Sequence, residues 1–285
     1  MRPVPIPRSF APPRLRGGFA LALAGVALAT ALGGEPPAAK PSAGQPDAPA
    51  TPPATTAPVE VFPGVRLDKA AQAVEFDAEV IADLSDPKKV LYLEVLACPR
   101  DTKEHESLVY TRVKPSQVHA ALLAAGLRPG TPVTWRTEGG RTVSTPPKGD
   151  PVRVEFRWRD PATSEEKAAS PLEWVVNAKA SRRASEEPSG FVFAGSAMIK
   201  RPDGTERYDA DAAGTLVGLA SFGSEVIAWT GVFSPESSVA EPVWTADRAR
   251  VPALGTKVTV RIAPEPDLRP KPGPRPQPKP EGAKP

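Results

Sequence analysis

Chemistry-bearing residues are scarce in this chain. Among 285 residues there are one cysteine, two histidines and two methionines, and aromatic side chains make up 6%. A single cysteine excludes an intramolecular disulfide, so the fold has to stand on its own core. It also excludes any four-cysteine iron–sulfur cluster. No Gly-rich phosphate loop occurs and no Gly-x-Ser-x-Gly elbow, since Gly195-Ser196 and Gly223-Ser224 lack the flanking glycines. His105-Glu106 opens like a zinc-protease motif, but position 109 is Val, and the motif fails.

Basic clusters are missing too. Of the net charge of +3, the first 34 residues carry +4 (Arg2, Arg8, Arg14, Arg16) and the stretch from 264 onward carries +2, leaving −3 for the middle. Phosphate backbones require grouped Lys and Arg. Nucleic acid is therefore excluded as a partner, and the remaining partner classes are an envelope polymer or a protein.

Proline is abundant, and unevenly so. Thirteen of 38 lie in residues 1–58, nine in 264–285 and sixteen in the 205 residues between. Proline lacks a backbone donor, so neither end can build helix or central strand. Residues 1–34 read as an export signal segment. Arg14-Leu15-Arg16 precedes an uncharged run from Phe19 to Leu32, and small residues follow it. At about fifteen residues the run is short of the ~20 that a membrane span needs; an uncleaved anchor is the alternative. No later segment approaches that length, and no cysteine follows for lipid attachment. Residues 35–58 read as a Pro/Ala-rich linker, 59–263 as a β-rich globular domain, and 264–285 as a Pro/Lys-rich disordered tail. The expected location is the periplasm or cell envelope.

Between the Pro-rich ends the pattern is one of short strands. Val65-Arg66-Leu67 and the alternating 74–80 flank a turn and predict a hairpin. Further strands are expected at 90–97, 107–113, 132–137, 152–159, 190–200, 206–210, 214–220, 225–230 and 256–262. A helix is expected over 117–125, capped by Ser116, with Val118, Ala121, Leu122 and Ala125 on one face and Gly126 closing it. A second helical stretch is expected at 171–180. Strands without a strand–helix–strand rhythm predict an α+β fold: mostly antiparallel sheet with one or two short helices. Trp135, Trp158, Trp174, Trp229 and Trp244 sit in or beside these elements and read as core, not as a glycan-binding platform.

One concentration of reactive groups stands out. Cys98, Glu104, His105, Glu106 and His119 hold the only cysteine and both histidines within 22 residues. Zinc or a thiol nucleophile would need these residue types, if a hairpin-like link brought Cys98 near His105. The spacing matches no recognised ligand pattern, Glu104 and Glu106 lie in a charged loop sequence, and His119 lies beside an apolar helix stripe. The favoured reading is that none binds metal, that Cys98 is buried and inert, and that the chain is a non-enzymatic binding or structural module. The alternative is a metal- or thiol-dependent enzyme using that region. Neither a catalytic residue nor a cofactor can be assigned.

From Leu93 to Trp135 the chain is similar to a known family. Leu93-Glu94-Val95-Leu96-Ala97-Cys98-Pro99, then Lys103-Glu104-His105-Glu106-Ser107, then Val118-His119-Ala120-Ala121-Leu122-Leu123 and Pro129-Gly130 resemble the YdjY-domain family of exported bacterial proteins. Phe193-Ala194-Gly195-Ser196, Ser221-Phe222 and Val251-Pro252 through Thr256 resemble that family's second half. The resemblance implies an exported fold over roughly 59–263 and supplies no catalytic residues.

Overall fold

The computed structural model describes residues 57–265. The expected signal segment lies outside them, as do the linker up to Thr56 and the tail from Pro266. Eleven strands form one sheet: β1 (Val59–Phe62), β2 (Val65–Asp68), β3 (Ala73–Val80), β4 (Val95–Pro99), β5 (Ser107–Thr111), β6 (Pro151–Arg159), β7 (Glu166–Ala169), β8 (Phe191–Phe193), β9 (Val217–Gly218), β10 (Ile227–Trp229) and β11 (Lys257–Pro264). Two short helices are present, α1 (Pro115–Ala124) and α2 (Asp209–Ala213).

Eight of these strands close on themselves in the order β3-β11-β6-β8-β10-β9-β4-β5, and β5 returns to pair with β3. All neighbours are antiparallel except β9–β10 and β4–β5. This overturns the expected α+β class: the fold is a β-barrel with extra strands and, among the described residues, only two short helices. Two physical features hid the closure from the sequence. Strands such as Val217–Gly218 and Phe191–Phe193 are two and three residues long, too short for alternation to register. The closing pairs are also remote, with Lys257 opposite Glu79 and Thr111 opposite Ala78.

The three longest strands show why a barrel forms. In β3, β6 and β11 the inward positions are Val74, Phe76, Ala78 and Val80, then Val152, Val154 and Phe156, then Val258, Val260 and Ile262, each at most 7% exposed. Side chains in a strand point alternately to either face, so the outward positions fall to charges. Arg66 pairs with Asp77, Arg261 with Glu75 and Asp68, Lys257 with Glu79, and Arg157 with Glu75 and Glu155. An eight-stranded barrel is just wide enough for its side chains to fill. This one is filled.

The tryptophans largely follow the core reading. Trp174, Trp229 and Trp244 are buried. Trp174 meets Phe156 at 5.2 Å and Trp158 at 5.1 Å, both edge-on, and Trp229 meets Trp244 at 5.5 Å. Trp135 is half-buried, its indole N–H donating to the Ser221 carbonyl at 2.9 Å.

Several local expectations need correcting. The link between β4 and β5 is no hairpin, because the two strands are parallel. Glu104–Glu106, expected in a charged loop, forms a 3₁₀ turn ahead of β5. Cys98 lies inside β4, and residues 90–94 contribute one isolated bridge, Tyr92 to Thr245. α1 starts two residues early, with Pro115 at its first position and Lys114 before it. Ser116 is not the cap: it lies inside the helix at the second position, and its hydroxyl donates to Asp211 Oδ2 at 2.7 Å. The helical stretch expected at 171–180 is only a 3₁₀ turn, Pro171–Trp174, after which the β-branched pair Val175-Val176 joins a strand. The strand expected over 190–200 breaks at Gly195 (φ +87°) and Ser196 (φ +54°).

Candidate functional site

The five residues singled out above divide between two places. Cys98 is fully buried in β4, a strand covered on both faces. Burial pushes its thiol up, with Ser107 and Thr102 hydrogen bonds opposing. A thiol held protonated is a poor nucleophile. Glu104 ties the turn before β5, accepting from the backbone N–H of Asp101 at 2.5 Å and of Thr102 at 2.9 Å. His105 points outward, its side chain 78% exposed, with Nε2 3.7 Å from Glu106 Oε2.

Glu106 has sharper chemistry. It accepts a hydrogen bond from the Lys103 ammonium, which also lies 4.3 Å from the centre of the Phe222 ring. On its other side is Glu94, the residue before β4. The Glu94 backbone N–H donates to the Glu106 carbonyl at 3.0 Å, and the Glu94 carboxyl hydrogen-bonds that of Glu106. Desolvation first, then the charge of Glu106, push Glu94 up to about 7, while Lys103 opposes. Two adjacent carboxyl groups cannot both ionise cheaply, so Glu94 keeps its proton until the pH approaches 7. Glu94 has a signal in the sequence: it is the only charge in the apolar run 90–97.

Nearby, Glu225 is 1% exposed and accepts from the backbone N–H of Phe222 and, at 3.2 and 3.1 Å, of Gly223. Burial raises its pKa against those hydrogen bonds. It is a buried acceptor that fixes the 221–225 loop. Among the described residues, no three of His, Cys, Asp and Glu come together as a metal site.

His119 belongs to the second place. α1 presents it toward the corner after β8, where its ring meets Phe193 edge-on at 5.0 Å and Tyr208 at 5.4 Å. The Tyr208 hydroxyl lies 2.9 Å from the Gly195 carbonyl and 2.7 Å from His119 Nδ1. A carbonyl only accepts, and a phenol has one proton. Tyr208 therefore donates to Gly195, and His119 donates from Nδ1–H to Tyr208. In that tautomer Nε2 keeps its lone pair. Burial lowers the imidazole pKa, with the Gly195 backbone opposing, so the ring is neutral near pH 7. Burial likewise raises that of Tyr208, which stays a phenol.

The left-handed backbone at Gly195 makes this corner possible. A Cβ there would sit 2.5 Å from Pro129 Cβ, so only glycine lets the chain turn so close to the 129–131 strand. Ser196 Oγ accepts from the Ala210 N–H at 3.0 Å and anchors α2. The result is a cleft of about 440 Å³ with His119 and Tyr208 in its wall beside Pro129, Ala197 and Met198. Tyr208 gave no signal in the sequence, and Ser196 was visible as a failed elbow and within a stretch that resembles the family.

The two places gather the stretches that carried the family resemblance. Glu94, Lys103, Glu106 and Phe222 meet at one, and His119, Pro129, Gly195 and Ser196 at the other. No curated protein matches the chain, and no solved structure does. The family model for the YdjY domain matches residues 65–263. The chain belongs to the YdjY domain family.

Proposed function

We propose that this protein acts outside the cytoplasm as an envelope-associated binding module, non-enzymatic, making its contacts with the outside of the barrel. The observation that carries the reading is the filled interior. Val74, Phe76, Phe156, Val260 and Ile262 are all fully buried, so the barrel leaves no room for a carried ligand of the kind that larger barrels enclose. Recognition is left to the outer clefts and rim. The basic, apolar N-terminal run supports export, and the cationic tail suits an anionic envelope surface. The alternative, a metal- or thiol-dependent enzyme, has less support: Cys98 is buried, His105 faces outward, and the cleft around His119 is lined by no Cys, Asp or Glu.

The test uses the full chain expressed in a bacterial host. After fractionation, the trimmed product is expected with the periplasmic or envelope material, and the purified protein is expected to sediment with isolated cell-wall sacculi. An untrimmed product in the cytoplasm, or no association with sacculi or envelope membranes, contradicts the proposal.

A further inference from the structure

We infer that the cleft beside His119 binds an uncharged, hydroxyl-bearing ring, a pyranose of an envelope glycan, with Nε2 of His119 accepting a hydrogen bond from it. The inference rests on the envelope-binding reading and assigns that reading a site.

Three observations carry it. First, the Tyr208 relay fixes the tautomer. With Nδ1–H spent on Tyr208 and the Tyr208 proton spent on Gly195, the cleft offers a lone pair, and the ligand has to supply the proton. Second, no Lys, Arg, Asp or Glu is among the residues lining the cleft, and Asp211 behind it is occupied by Ser116, which gives it both its N–H and its hydroxyl at 2.8 and 2.7 Å. An anion would find no cation there and an ammonium no free carboxylate, so the donor is a hydroxyl or amide N–H on a neutral molecule. Third, Pro129, Ala197 and Met198 supply C–H walls, Met198 being 59% exposed. A pyranose combines an apolar C–H face with rim hydroxyls, and 440 Å³ lies in the small-ligand range of about 300–1,000 Å³.

The test titrates the full chain with N-acetylglucosamine and with methyl glucoside while following the His119 imidazole nitrogens by NMR. The account expects a saturable shift at Nε2. Tyr208→Phe, which frees the tautomer, should weaken binding about tenfold, the value of one hydrogen bond. Met198→Glu places a charge on an exposed wall position and should abolish the shift without lowering the melting temperature. No shift with either sugar overturns the inference, as does a shift that survives Met198→Glu. If Met198→Glu protein still sediments with sacculi as the unaltered chain does, the cleft assignment falls while the envelope reading stands.

Discussion

The Glu94 carboxyl lies against that of Glu106 at the entrance to two parallel strands and is pushed up to about 7 by burial and then by the Glu106 charge, with the Lys103 ammonium on the far side of Glu106. The folded chain thus keeps a proton that the unfolded chain releases near pH 4.5. The sign follows: between pH about 4.5 and about 7 the native state binds more protons, so stability falls as pH rises through that window, and the loss is complete above about 7. Unscreened, the effect would be about 3 kcal/mol; with Glu94 only partly buried, solvent screening reduces it to about 1 kcal/mol. Glu94→Gln should flatten the dependence of the urea midpoint on pH between 5 and 8. A slope unchanged in that variant would contradict the assignment.

The filled barrel makes its own prediction. Phe156 is fully buried between the inward faces of β6 and its neighbours and stacks edge-on against Trp174. Phe156→Ala should cost about 3–5 kcal/mol, transfer loss plus residual cavity, read as a fall in the denaturation midpoint at unchanged slope. A cost below about 1 kcal/mol would mean that the interior is not packed as described.

Gly149 sits with φ +153° where a Cβ would lie 2.0 Å from the Phe193 carbonyl oxygen. That neighbour is backbone and cannot swing aside. Gly149→Ala should destabilise by about 3 kcal/mol or more, whereas Gly139→Ala, with nothing near its Cβ position, should cost far less. Equal effects of the two would refute the close approach.

Cys98 offers a simple chemical check. Fully buried and raised in pKa by burial, it should resist a thiol reagent such as Ellman's at pH 8 in buffer and react with one equivalent in denaturant. Rapid reaction of the folded chain would place it at the surface.

Much of the local structure was legible in the sequence because it is encoded locally. The 65–67/74–80 hairpin, the long strands at 152–159 and 256–262 and the α1 stripe are set by alternation, helical spacing and turn residues. The turn at Pro202-Asp203-Gly204-Thr205 joins two paired strands, Met198–Lys200 and Glu206–Tyr208, as its residues imply. Closure was not legible, because it depends on two-residue strands and on partners such as Glu79 and Lys257. The site was half legible. Glu106 and His119 stood out by residue type, but their partners Glu94 and Tyr208 reach them only through the parallel β4–β5 pairing and the left-handed corner at Gly195.

Everything proposed for recognition turns on which nitrogen of His119 carries the proton. Long-range ¹⁵N–¹H correlation on the unliganded full chain at neutral pH measures it directly. The account predicts a neutral ring protonated at Nδ1, with Nε2 unprotonated and changing to the mixed pattern in Tyr208→Phe. A ring protonated at Nε2, or one already cationic at pH 7, would contradict it.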